Sequence, residues 1–273
     1  MTRGNPVAQA IDTDLVAALT DVVTRAAAAI LAIAPAQLQT RVKADHTPVT
    51  TADEAADATI ADGLARLMPA MAVVSEESLP RTTALDGTFA LVDPLDGTKE
   101  FIAGRAEYTI NIAIVSDGRP IAGFVAAPAL GLLFRGVVGR GAERLTLDRS
   151  AAPVTIRCRP NPTGPLVAAV SRSHLDADTV AFLDRLAVAE RMAFGSALKF
   201  CRIAEGAADV YPRLSPTSEW DIAAGHAIVA AAGGLVTAPS GEALRYGHAA
   251  ADFKVPGFIA WGDARRRIDA DKG

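Results

Sequence analysis

Aromatic side chains are scarce in this chain of 273 residues, only 5% of it, although half is hydrophobic; alanine supplies much of the difference. Cysteine is scarcer still. Cys158 and Cys201 lie far apart with no CxxC, which excludes a zinc ribbon and a disulfide framework and suits a reducing cytoplasm. There is no excess of positive charge. A net charge of −4 excludes a broad electrostatic surface for nucleic acid or an anionic membrane, and leaves local basic residues free to hold a small anion. No apolar run reaches the roughly 18 residues of a membrane span, so no integral membrane segment is expected. The early apolar run, 26–36, follows Asp12, Asp14 and Asp21 and stops at Pro35, unlike a signal peptide. The expectation is a cytoplasmic protein, at most peripheral to a membrane.

What is present reads as one or two domains of mixed helix and strand. Residues 8–33 and 51–68 predict two helices, the second capped by Thr50. "AVVSEE" and "TFALVD" predict strands, and "YTINIAIVSDGRPIAGFVAAP" a hairpin around Asp117-Gly118. "GLLFRGVVGRGAERLTL" continues the meander. The proline-rich stretch 153–165 predicts a linker. Beyond it, strands ("LVAAVSR", "ADVYPR", "FIAWG") alternate with helices ("DADTVAFLDRLAV", "SALKFCRIAEG", "WDIAAGHAIVAAAGG", "DARRRIDA"). The expected fold class is α/β, layered α+β, with an N-terminal half (1–147) and a C-terminal half (148–273).

The most unusual stretch is "LVDPLDGTKEFI", 91–102. Asp, Pro and Gly are poor formers of strand and helix, so a turn is expected after the apolar strand. Asp93 and Asp96 in it could be no more than Asx-type turn acceptors. Asp53 and Asp221 each lie three residues after Thr50 and Ser218, and a capping box alone accounts for both. Glu76 and Glu77 after a strand could be a solvated turn. What favours a metal site is the co-occurrence of these four segments, each at a strand end or helix start. Oxygen-rich clusters suit hard cations such as Mg²⁺, and two such ions can clamp a phosphate ester. Gly97 would let the backbone approach an anion, and Thr98 offers a hydroxyl to orient water.

"PVTTAD", "SEES", "DPLDGTKEF" and "WDIAAGHAIVAAAGG" resemble, in order and spacing, the inositol monophosphatase superfamily of Mg²⁺-dependent, lithium-sensitive phosphatases. The resemblance covers roughly 48–234. Lys99-Glu100-Phe101, "SRSH", "GSALKFC", "AEG" and "YPR" resemble its bacterial 3'(2'),5'-bisphosphate nucleotidase branch. Ala197 stands where a second serine is more usual, one hydroxyl fewer near the expected base or ribose site.

The resemblance implies a sugar-phosphatase-type αβαβα sandwich with the site between the halves. It implies Glu76, Asp93, the Leu95 carbonyl, Asp96 and Asp221 as ligands of two or three Mg²⁺ ions, with Glu76 also counted as catalytic. Asp53 and Thr98 would orient and deprotonate the attacking water. Gly97 and Thr98 would touch the scissile phosphate; His174, Ser196, Lys199, Arg213 and Asp221 would hold the rest of the substrate. That substrate is adenosine 3',5'-bisphosphate, with 3'-phosphoadenylyl sulfate as a second. An inositol or other sugar phosphatase is the alternative within the superfamily, and a metal- or nucleotide-binding regulator the alternative outside enzymes. Asp-x-x-Asp-Gly-Thr has one residue more than the Asp-x-Asp-Gly-Thr of phosphatases that form an aspartyl phosphate, so direct attack by water is expected.

Overall fold

A computed structural model describes residues 11–33, 39–42, 48–78, 85, 87–160, 164–186 and 188–266. The N-terminal part runs α1 (Thr13–Leu31), β1 (Thr40–Val42), β2 (Pro48–Thr50), α2 (Thr51–Leu67), β3 (Ala72–Ser75), β4 (Thr88–Asp96) and α3 (Thr98–Ile102). A meander follows: β5 (Thr109–Ser116), β6 (Arg119–Ala127), β7 (Leu132–Val137), β8 (Gly141–Thr146) and β9 (Val154–Ile156). Then come β10 (Val167–Ser171), α4 (Ala177–Arg185), β11 (Glu190–Phe194), α5 (Leu198–Ala204), β12 (Val210–Arg213) and β13 (Thr217–Ser218). The chain closes with α6 (Glu219–Ala231), β14 (Leu235–Thr237), β15 (Lys254–Val255) and β16 (Phe258–Trp261).

Strands β3 to β9 form a seven-stranded sheet in sequence order, antiparallel except for the parallel β3–β4 pair. A five-stranded mixed sheet has the order β11-β10-β12-β16-β14. The period-two alternation of strands assigns the layers. From β4 and β5, Ala90, Val92, Ile110, Ile112 and Ile114 pack with Leu19, Val23 and Ile60 of α1 and α2. Their opposite-facing neighbours Phe89, Leu91, Ala113 and Val115 pack with α5 and α6. The same middle core takes Ala169, Tyr211, Phe258 and Ala260 of the second sheet. The other face of that sheet, with Ala168, Val170, Val210, Ile259 and Trp261, covers Leu183 of α4. The stack is therefore α/β/α/β/α, with α6 buried at its centre.

Three local expectations are corrected. The stretch 153–165 supplies β9, the last strand of the large sheet, because Val154–Ile156 pair with 142–144. That strand lies beyond the expected boundary at 147. Residues 93–96 are not a turn but the continuation of β4. "DARRRIDA" gives one turn of 3-10 helix at Ala264–Arg266, its remainder lying outside the described residues, as do residues 8–10 of the first expected helix. Strands β1, β2, β11, β13, β14 and β15 and the short helix α3 were not expected.

Helix α6 lies against the large sheet across glycine. A Cβ on Gly123 would stand 2.1 Å from the Ala224 carbonyl oxygen, and one on Gly136 2.9 Å from the Ala231 Cβ. The backbone contact at Gly123 cannot be relieved by a rotamer change. Gly123→Ala is expected to destabilise the protein by about 1–3 kcal/mol, the range for overpacking. Chemical denaturation should show a lower midpoint with an unchanged slope.

Candidate active site

The site begins with a register shift. Asp93 pairs with Asn111 and Asp96 with Thr109, so three steps on β4 face two on β5. The extra residue is a β-bulge, where proline is tolerated. In a regular strand, residues three apart point to opposite faces. Here the bulge restores the parity. Leu95 falls into the core under α1 and α2 instead of following Phe89 and Leu91 into the middle core. Asp93 and Asp96 consequently face the same side, toward α6.

Three other elements add oxygen ligands. Glu76 follows β3, and its N–H donates to the Val92 carbonyl at 3.1 Å, which sets it beside Asp93. Asp57 of α2 holds that strand end, accepting from Ser75 Oγ at 2.6 Å and Ser78 Oγ at 3.3 Å. Asp221 is the third residue of α6. Its Oδ2 accepts from the Ser218 N–H at 3.1 Å and from the Thr217 hydroxyl. One oxygen from each of Glu76, Asp93 and Asp221 lies within 4.8 Å of the other two. Asp96 stands alongside, its Oδ2 accepting from Asn111 Nδ2 at 3.3 Å.

Electrostatics test whether this group fits a cation. Burial pushes the Asp93 carboxyl well above the usual range, and the charges of Glu76, Asp96, Asp221 and Asp53 push it the same way. Burial and Asp221 raise Asp96 to about 6, partly offset by Lys199 and the Asn111 amide. Among the described residues neither Asp93 nor Asp221 forms an ion pair with lysine or arginine. Buried like charges of this kind are tolerated when a metal neutralises them. The all-oxygen donor set and the spacing fit a hard divalent ion.

Thr98 opens α3 after Gly97, which sits in the left-handed region at φ 91°. Thr98 Oγ1 donates to Asp53 Oδ1 at 3.0 Å and lies 3.2 Å from the Leu95 carbonyl oxygen. Asp53 Oδ2 accepts from the Thr50 N–H at 2.8 Å and from the Thr50 hydroxyl at 2.6 Å. Asp53 is both cap and site neighbour. Its burial raises its carboxyl, and the bonds from Thr50 and Thr98 oppose that.

A cavity of about 240 Å³ gathers most of the predicted residues: Glu76, Asp93, Leu95, Asp96, Gly97, Thr98, His174, Ser196, Lys199, Arg213 and Asp221. Asp53 lies behind Thr98 rather than in the lining. Lys199 is buried and donates to the carbonyls of Ser196 at 2.7 Å and Phe194 at 3.3 Å. Burial lowers its ammonium to about 8 against the opposing pull of Asp96. His174 is exposed at the rim; partial desolvation of its ring and then the charge of Arg213 lower its imidazole.

Ser196 lines the cavity, but its hydroxyl is turned to backbone, 2.7 Å from the Asp96 carbonyl oxygen and 3.1 Å from that of Glu107. It ties the start of α5 to the bulge. Glu107, paired bidentately with Arg172, also accepts from the Gly195 N–H at 2.9 Å. Ala197 is buried in the middle core and does not line the cavity, so the hydroxyl absent there is not lost from the site. Glu100 and Ser173, not among the expected site residues, also line the cavity. Glu100 was visible in the motif, but only the folded chain buries it there.

A five-layer αβαβα stack with an acidic cluster between its sheets defines a metal-dependent phosphatase architecture. The chain belongs to the inositol monophosphatase family, whose model matches residues 11–262. It is 43% identical over 224 residues to the 3'(2'),5'-bisphosphate nucleotidase CysQ of Shigella flexneri, covering 79% of this chain and 86% of that protein. It is 33% identical over 219 residues to the histidinol-phosphatase of Mycobacterium tuberculosis, covering 76% and 80%. The crystal structure of CysQ from Bacteroides thetaiotaomicron superposes with a TM-score of 0.72 at 33% identity, covering 90% of this chain and 96% of that one.

Chelation should lower the melting temperature. At a divalent-ion concentration about 100 times its dissociation constant the bound state gains roughly 2.7 kcal/mol, about 5–10 °C for a chain of this size. Asp93→Asn should melt higher than wild type in chelator, because it removes a buried charge. It should also lose most of the ion-induced shift. Thermal scans with EDTA and with added Mg²⁺ check both.

Proposed function

We propose that this chain is a magnesium-dependent 3'(2'),5'-bisphosphate nucleotidase that removes the 3'-phosphate of adenosine 3',5'-bisphosphate, giving AMP and phosphate. 3'-Phosphoadenylyl sulfate would be a second substrate. The observation that carries this is the mixed charge of one cavity. Besides its carboxylates, Lys99, Lys199 and Arg213 line it. A phosphate held on metal ions needs no further cation. A second phosphate on the same molecule does, and arginine and lysine supply it. The similarity to CysQ proteins supports the same reading.

Glu76, Asp93, the Leu95 carbonyl, Asp96 and Asp221 would hold two Mg²⁺ ions, with a third, weaker one near Asp53. When bound, the ions would polarise the phosphate and make a water more acidic. The chain's own part is proton handling and alignment. The Thr98 hydroxyl donates a hydrogen bond to Asp53 Oδ1, so its lone pairs are left to accept one from a water in the cavity. Asp53, raised by burial, is the base: the water's proton passes to Thr98 Oγ1 as the hydroxyl's own proton passes to Asp53 Oδ1. The N-terminal half supplies the water-activating groups and Lys99, and the C-terminal half Asp221, Lys199 and Arg213. Arg213 is fixed by a bond to the Pro216 carbonyl at 3.1 Å. Water attacks phosphorus directly, with no covalent intermediate.

The test is kcat/KM at fixed Mg²⁺ for adenosine 3',5'-bisphosphate, 3'-phosphoadenylyl sulfate, inositol 1-phosphate, histidinol phosphate and fructose 1,6-bisphosphate. The adenosine bisphosphate should lead inositol 1-phosphate by about 10²–10⁴-fold, the value of two charge-assisted hydrogen bonds. A higher value for any monophosphate would overturn the assignment. Thr98→Ala should lower kcat by about 10²–10⁴-fold with little change in KM, since the lost bond acts on the attacking water. A chiral phosphate ester should be hydrolysed with inversion; retention would mean two displacements and a phosphoenzyme.

A further inference from the structure

Glu100 is the carboxylate that the mechanism leaves without a role. It lies on α3, two residues after Thr98, and is 7% exposed. It lines the cavity but does not belong to the group of Glu76, Asp93 and Asp221. Its Oε1 accepts from Ser173 Oγ at 2.6 Å, which fixes the carboxylate plane from the loop after β10. Its Oε2 is turned toward Gly97 and would stand 3.5 Å from a Cβ built there. Gly97 joins Asp96 to Thr98, so this oxygen lies next to the segment that carries both, in the same cavity.

A carboxylate in that place is unfavourable for a phosphate alone, because the two repel. Glu100 also forms no ion pair with Lys199, whose ammonium is held by the carbonyls of Ser196 and Phe194. A carboxylate only accepts hydrogen bonds. Phosphate oxygens offer it no donor. On an alcohol phosphate the donor nearest the ester is a hydroxyl on the adjoining carbon. A hydroxyl donating to a buried carboxylate makes a short, strong bond.

We propose that Glu100 is a specificity-determining residue: it accepts a hydrogen bond from the hydroxyl next to the scissile phosphate ester, so the site selects phosphates of vicinal diols. The proposal rests on the phosphatase reading of the same cavity. For a ribonucleotide 3'-phosphate the group selected is the 2'-hydroxyl. A site built to bind a hydroxyl rejects the analogue without it, because the acceptor is left buried and unpaired.

The experiment compares adenosine 3',5'-bisphosphate with its 2'-deoxy analogue in the wild type, Glu100→Ala and Glu100→Gln. The readout is the ratio of the two kcat/KM values within one preparation, which does not depend on the folded fraction. The wild type should favour the ribonucleotide by about 10- to 100-fold. Glu100→Ala should bring the ratio close to one. Glu100→Gln, which keeps one acceptor without the charge, should fall between, and it decides the matter if the alanine variant does not fold. A wild-type ratio near one, or variants that keep the wild-type ratio, would overturn the proposal. If the wild type hydrolyses neither nucleotide, the nucleotidase assignment fails instead. The hydroxyl preference is then read on whichever ester of the panel is turned over, against its analogue lacking the neighbouring hydroxyl.

Discussion

Two like charges on one face of one strand are the constraint around which the molecule is arranged. Without the bulge at Pro94-Leu95, Asp93 and Asp96 would point into different layers, and no single cavity could use both. With it, they face α6 together and repel. The surroundings hold that arrangement in place. The Leu95 N–H donates to Asp93 Oδ1 at 3.0 Å, the Asn111 amide donates to Asp96, and Ser196 fastens the carbonyl of Asp96 to the start of α5. These bonds fix direction but do not cancel charge, which is why the group fits a cation and not a set of neutral turn acceptors.

The layer order follows from the same need. Asp221 comes to Asp93 on the first turn of α6, and α6 reaches the large sheet only because β6 and β7 present Gly123 and Gly136. From the other side Gly225 lies under Phe200 of α5, where a Cβ would stand 2.4 Å from the ring. Glycine on both sides lets a helix lie at the centre of two sheets, close enough for its N-terminal carboxylate to meet a strand. Glu219, fully buried at the start of α6, anchors that end by accepting from the backbone N–H groups of Gly247 and His248.

Much of the site was legible because its residues carry two roles. The capping box at Thr50 and Asp53 and the capping carboxylate Asp221 are real caps, and the same aspartates adjoin the acid cluster. The capping role does not compete with a place beside the cluster. The misreadings share one cause. Asp, Pro and Gly argue locally for turns, yet 93–96 stays in the ladder as a bulge, and the proline-rich stretch 153–165 still pairs Val154–Ile156 with β8. Sheet hydrogen bonding overrode local propensity in both places. Strand β11 was missed because it sits at a sheet edge and carries polar residues.

By itself the sequence determined most of the helices and the longer strands, which carboxylates lie at their ends, and the family those motifs resemble, because caps, periodicity and glycine act over a few residues. Only the tertiary structure decided the rest. It put Asp93 and Asp96 on one face, spent the Ser196 hydroxyl on backbone, moved Ala197 into the core, and buried Glu100 and Lys199 in the cavity. Each of those outcomes depends on a partner far away in the chain, and direction, burial and charge at a site are set by what packs against a side chain, not by its neighbours in sequence.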